Sequence, residues 1–167
     1  MEKKMKEEAE HKYSWKEKYD HVCSSYMRGQ GFTWRWIAET YGPEALDEYF
    51  KRAMTEDVLG RSTFQTFKKG ISAEELVKGF VPHHLMIGGE VKVRKVTPDE
   101  VVVDVVKCGS KSLLVENDPS SAKYYCRHCE VIPIYEAIGW PAERDRTKAA
   151  KLKGQNIGCT VTFRRKK

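Results

Sequence analysis

The residues best suited to chemistry lie in Tyr124-Tyr125-Cys126-Arg127-His128-Cys129. A C-x2-C pair can bring two thiolates to one side of a turn and onto one metal ion, and a closed structural zinc site takes four such ligands. Cys108, after a valine-rich stretch, and Cys159, in a late alternating stretch, can complete a set of Cys108, Cys126, Cys129 and Cys159 if their strands are neighbours. Zinc is the metal this donor set favours, with iron as the alternative. His83, His84 and His128 offer nitrogen ligands or proton carriers. Arg127 beside Cys126 favours a thiolate if both face one space. The same cysteines can instead be pocket thiols acting as nucleophiles, or small buried hydrophobes of a core. Cys23 lies among aromatics at helical spacing and fits a core position.

These residues need elements to position them. Ser14 and Glu17 have capping-box spacing, and Trp15, Tyr19, Cys23 and Tyr26 follow along one helical face. Gly29 and Gly31 predict the end of that helix, with a second from about Thr33 to Tyr41. Trp34 and Trp36 flank Arg35 there, and such aromatics either wall a small-molecule pocket or pack the helix on a sheet. Gly42 and Pro43 are a stop and a start, and Leu46, Tyr49, Phe50, Ala53 and Met54 trace an amphipathic third helix. Residues 60–70 form a connector. A second capping box, Ser72 and Glu75, opens a helix that Pro82 should end or kink.

The period then changes. Val91 and Val93 alternate with charges, Thr97-Pro98-Asp99-Glu100 is turn chemistry, and Val101 to Val106 is β-branched, so an antiparallel hairpin is predicted. Two strands alone are marginal. Ile157 to Arg164 is the next candidate strand, Leu113 to Glu116 a weaker one, and Glu130 to Ile138 a short helix. The expected fold class is α+β: a helical N-terminal half packed on an antiparallel sheet, with a cysteine-rich C-terminal half. The expected organisation is a charged lead-in over 1–13, one domain over 14–164 and a basic tail over 165–167.

The bulk properties narrow the function. The chain has 167 residues and a formal charge of +6. From Ala142 onward nine basic residues face two acidic ones, whereas the rest holds 21 basic and 22 acidic. The excess is thus a basic end region, which argues against a nucleic-acid face of clustered basic and aromatic residues. No apolar run is long enough to span a bilayer. The charged N-terminus has no apolar core of a secretory signal, so a cytoplasmic protein with reduced thiols is expected. No phosphate-binding glycine loop and no serine-nucleophile elbow occurs.

Trp34-Arg35-Trp36 followed by Glu39, Gly42, Glu44 and Ala45, then a strand ending at Cys108, the Cys126/Cys129 segment and Cys159-x-x-x-Phe163, resembles the L-2-amino-thiazoline-4-carboxylic acid hydrolase-like family. The closing arrangement is also similar to the 4-vinyl reductase domain, a small-molecule-binding α+β module. The chain departs from the family pattern after Cys108, where Gly109-Ser110-Lys111 follows. The resemblance implies hydrolysis of a cyclic amidine-like C–N bond. In a metal form Cys108, Cys126 and Cys129 hold zinc and His84 or His128 carries the proton. In a covalent form Cys126 or Cys129 attacks the amidine carbon and a histidine is the base. Trp34, Trp36 and Arg127 are then the substrate contacts. The alternative is a non-catalytic sensor or accessory subunit whose cysteines hold a metal or line a ligand pocket, as a homo-oligomer or within a larger complex.

Overall fold

The computed structural model describes residues 13–53, 70–125 and 131–166. Helix α1 spans Trp15–Tyr41, α2 Pro43–Arg52 and α3 Ala73–Met86. The hairpin strands β1 (Glu90–Thr97) and β2 (Glu100–Lys107) follow, then α4 (Gly109–Asn117), α5 (Pro119–Tyr125) and α6 (Val131–Ala137). The chain closes with β3 (Ala142–Asp145), β4 (Lys151–Leu152), β5 (Gln155–Asn156) and β6 (Cys159–Arg164). The main sheet has the order β1-β2-β6-β3, all pairs antiparallel. The α+β class is therefore present, with a helical N-terminal half and an antiparallel sheet. Among the described residues, no helix is long and apolar enough to cross a membrane.

Both capping boxes form. The Ser14 hydroxyl accepts from the Glu17 N–H at 3.2 Å, and the Glu17 carboxylate accepts from the Ser14 N–H at 2.7 Å. Ser72 and Glu75 repeat the exchange at 3.2 and 2.7 Å. Each pair satisfies backbone donors that a helix start otherwise leaves orphaned.

Two predicted boundaries do not occur. Gly29 and Gly31 lie inside α1, which runs unbroken to Gly42. A glycine inside a helix costs only about 1 kcal/mol, which packing can offset. Gly31 is buried where α1 crosses α4 and α5, and a Cβ there would lie 2.9 Å from both Leu114 Cδ2 and Ser121 Cβ. Of the two outcomes expected at Pro82, an end or a kink, the end does not occur: Pro82 lies within α3, which continues to Met86. Phe80 and His84, on either side of it, are buried and hold the last turn in place.

The hairpin forms as its pattern implies, with Pro98 and Asp99 between the strands and the Thr97 hydroxyl accepting from the Glu100 N–H at 3.1 Å. Val101, Val103 and Val105 face the core, and β1 is a charged edge strand, a common guard against edge-to-edge pairing. Strand β6 pairs with β2 along its length, with Val105 opposite Cys159. Leu113 to Glu116 is helical rather than extended, and Leu114 and Val115 are fully buried within α4. Strand β3 was not legible, because Ala142-Glu143-Arg144-Asp145 has no apolar alternation.

The core has two parts. In one, α3 and α6 cover the sheet through Leu76, Phe80, Tyr135, Val103, Val161 and Phe163. In the other, α1 and α2 pack on α4 and α5 through Trp34, Leu46, Phe50, Leu114 and Tyr125. Thus α3, rather than the whole helical half, lies on the sheet. The physical reason is that the helix following β2 supplies an apolar face of its own for α1. The C-terminal half is also not cysteine-rich, since the whole chain holds five cysteines in 167 residues. The basic end is partly tied down: the Arg165 N–H donates to the Asp99 carbonyl at 2.9 Å and the Lys166 N–H to the Gly139 carbonyl at 3.0 Å.

Candidate functional site

The end of β2 and the start of β6 bring two of the predicted residues together. The Cys108 N–H donates to the Ile157 carbonyl at 2.6 Å, which holds the two chain segments side by side. Cys108 stands at the N-cap position of α4, with no capping bond from its side chain, and packs against both parts of the core. Cys159 opens β6 and is half-buried. From across the sheet face, α3 supplies His84. All three line one cavity of about 30 Å³, together with Phe80, Val105 and Tyr125. A space of that size holds roughly two water molecules.

His84 is 5 % exposed, and its ring lies 4.2 Å from that of Phe80, centre to centre. Its Nδ1 is 3.0 Å from the Phe80 carbonyl oxygen. A carbonyl only accepts, so Nδ1 carries the proton and Nε2 keeps its lone pair. Burial pushes the His84 pKa down to about 4; the Phe80 carbonyl opposes the shift and the neighbouring His83 adds to it. At neutral pH His84 is therefore uncharged. A neutral imidazole whose Nδ1–H is held by a carbonyl is oriented as metal-bound histidines usually are. A group that protonates only near pH 4 is in contrast a weak general base at neutral pH, where an effective one has a matching pKa.

Two arginines that the sequence reasoning missed, Arg144 and Arg146, line the same cavity. Their i, i+2 spacing at the end of β3 puts both on one side of an extended chain. That signal was present in Arg144-Asp145-Arg146, but a run of charges gave no reason to expect a strand.

Other predicted residues lie elsewhere. Trp34 is 1 % exposed and packs on Phe50 and Tyr125 at 5.2 and 5.5 Å, within the α1–α5 core. Its indole N–H is buried with no partner among the described residues. Trp36 is on the outside of α1, edge-on to Tyr41. The two tryptophans therefore do not share a pocket wall. His83 is exposed beside His84. Cys23 is not a core residue: it is half-buried beside Tyr19 and lines a cleft between α1 and the body of the protein, opposite Ile87, Lys107 and Leu113. Cys126, Arg127, His128 and Cys129 lie outside the described residues.

The donors fit a soft metal in kind: two sulfurs and one oriented imidazole nitrogen. Among the described residues, however, no group of three or more His, Cys, Asp or Glu side chains is arranged to hold a metal ion. Cys108, Cys159 and His84 share a cavity without closing a coordination shell by themselves.

No protein-family model matches this sequence, and no curated protein is significantly similar to it.

Proposed function

We propose that this chain is a small metal-binding module whose cysteine–histidine cavity takes a single soft cation, with zinc as the ion of choice, in a sensor or accessory role. The observation that supports it best is the state of His84. It is buried, neutral and held through Nδ1 by the Phe80 carbonyl, with Cys108 and Cys159 on the same cavity. In this reading Cys126 and Cys129 complete the thiolate set, on the strength of their C-x2-C spacing alone. Four sulfurs would close the shell and make the ion structural, with His84 beside it; three donors and an open position would suit chemistry. The cavity of about 30 Å³ suits an ion better than a ring-sized substrate.

The hydrolase reading rests on the resemblance to the thiazoline-carboxylate hydrolase-like family, and on two thiols lining the cavity with Arg144 and Arg146. In that reading a cysteine is the nucleophile, and His84 is not its base at neutral pH.

Metal content of protein purified under reducing conditions and without a chelating tag tests the proposal. About one zinc per chain, lost in Cys108→Ser and Cys159→Ser as in Cys126→Ser, is the expected result. Protein that carries no metal and takes up none when zinc is added would refute it. A turnover assay with a 2-aminothiazoline carboxylate on the same preparations then addresses hydrolysis: activity that survives Cys108→Ser with the metal gone supports a thiol nucleophile elsewhere.

A further inference from the structure

Helix α1 exposes along most of its length a stripe, made largely of big apolar residues, that the fold leaves mostly uncovered. Trp15, Tyr19, Val22, Tyr26, Gly29, Thr33 and Trp36 recur at alternating steps of four and three residues. That is the spacing of a two-helix seam, in which one line of side chains faces a partner helix. The buried line of the same helix, Met27, Gly31 and Trp34, faces away from it. Trp15 is 85 % exposed, Val22 and Tyr26 each 63 %, Trp36 49 % and Tyr19 45 %.

We propose that this stripe is the interface of a homodimer, in which α1 packs antiparallel on α1 of a second copy. Area argues for a partner of this kind. A fully exposed aromatic side chain presents about 150–250 Å², so the four aromatics of the stripe leave on the order of 500 Å² uncovered. Phe32 flanks the stripe, and Leu85 and Met86 continue it at the end of α3, where the Tyr19 hydroxyl donates to the Met86 carbonyl. With these the patch approaches the roughly 800 Å² per partner of a stable interface. Its composition, rich in aromatics and methionine, is that of an interface centre.

Self-pairing is favoured by size matching. A two-fold axis at Ser24 sets Tyr19 against Gly29 of the second copy, Trp15 against Thr33 and Val22 against Tyr26. Trp15, Tyr19 and Tyr26 each then meet a small or medium side chain, and the same patch serves both copies, as two-fold symmetry demands.

Sedimentation equilibrium of the full chain at micromolar concentration tests the inference. The mass of two chains is expected for the wild type, and the mass of one chain, with unchanged circular dichroism, for Val22→Glu/Tyr26→Glu. A wild-type mass of one chain, or a dimer untouched by the double substitution, would overturn the interface. If the double variant does not fold, cross-linking decides. In a Cys23→Ser background Val22→Cys/Tyr26→Cys should form an intermolecular disulfide readily and Val22→Cys alone should not. Equal cross-linking by the single variant, or none by the double, overturns the antiparallel pairing. Metal content is indifferent to both results, so the dimer and the metal site stand or fall separately.

Discussion

Acidification should unfold this protein through His84. The folded pKa lies near 4 because the ring is buried on Phe80, against an ordinary value of 6.5. Above pH 6.5 the ring is neutral in both folded and unfolded chains, and the burial costs nothing in protonation. As pH falls from 6.5 towards 4 the unfolded chain takes up a proton that the folded one refuses. The stabilisation present above pH 6.5 is therefore lost across that window, by about 1.4 kcal/mol per pH step and on the order of 3 kcal/mol in all. The carboxylates held below their usual range, such as Asp118, where burial pushes upward but Ser120, Ser121 and Arg35 together outweigh it, lose their contribution only at lower pH. Urea unfolding at a series of pH values, for the wild type and for His84→Asn, isolates the effect. Asparagine keeps an N–H donor near the position of Nδ1 but does not titrate. The wild type should lose stability steeply between pH 6.5 and about 4.5, and the variant, less stable near neutral pH, should have a much flatter profile. Parallel profiles for the two proteins would refute the burial of a neutral His84, and with it the main support for the metal-binding reading.

Other consequences are independent of that residue. Within one chain, in the Val22→Glu/Tyr26→Glu background where no second copy faces it, Gly29→Ala meets nothing within 4 Å and should stabilise α1 by about 1 kcal/mol, whereas Gly31→Ala drives a Cβ to 2.9 Å from Leu114 and Ser121 and should cost roughly 1–3 kcal/mol before that gain is counted. Denaturant midpoints that rise equally for both would mean that α1 does not cross α4 and α5 there. Phe163→Ala removes a fully buried ring that packs on Phe80 and Tyr135 at 5.3 and 5.0 Å, and a loss of about 3–5 kcal/mol is expected in the same assay. Ser72→Ala removes the hydroxyl that caps α3 and should cost about 1 kcal/mol, and Ser72→Thr should recover most of it.

Much of the architecture was legible where the determinant is local. Ser14–Glu17 and Ser72–Glu75 marked two helix starts because a cap is satisfied within four residues. Thr97 to Glu100 marked the hairpin because a turn is equally local, and Cys159, Val161 and Phe163 marked β6 by their alternation. Legibility failed where a distant surface decided the outcome. Gly31 is a helix breaker by intrinsic preference and a helix interior residue by context, since only the approach of Leu114 and Ser121 makes its missing side chain useful. Leu113 to Glu116 is too short for its period to separate strand from helix.

The candidate site divides in the same way. The sequence alone determined the donor chemistry: thiols at 108, 126, 129 and 159, histidines at 83 and 84, and a basic C-terminal end. Only the tertiary structure decided that His84, rather than His83, turns inward, because α3 presents that side to the sheet. It alone set Cys108 and Cys159 on one cavity, through the pairing of β2 with β6, and added Arg144 and Arg146 from an edge strand with no apolar signature. A side chain's chemistry belongs to its own atoms and can be read from a single letter. Its pKa, its tautomer and its neighbours depend on residues tens of positions away, and these are set only when the chain has packed.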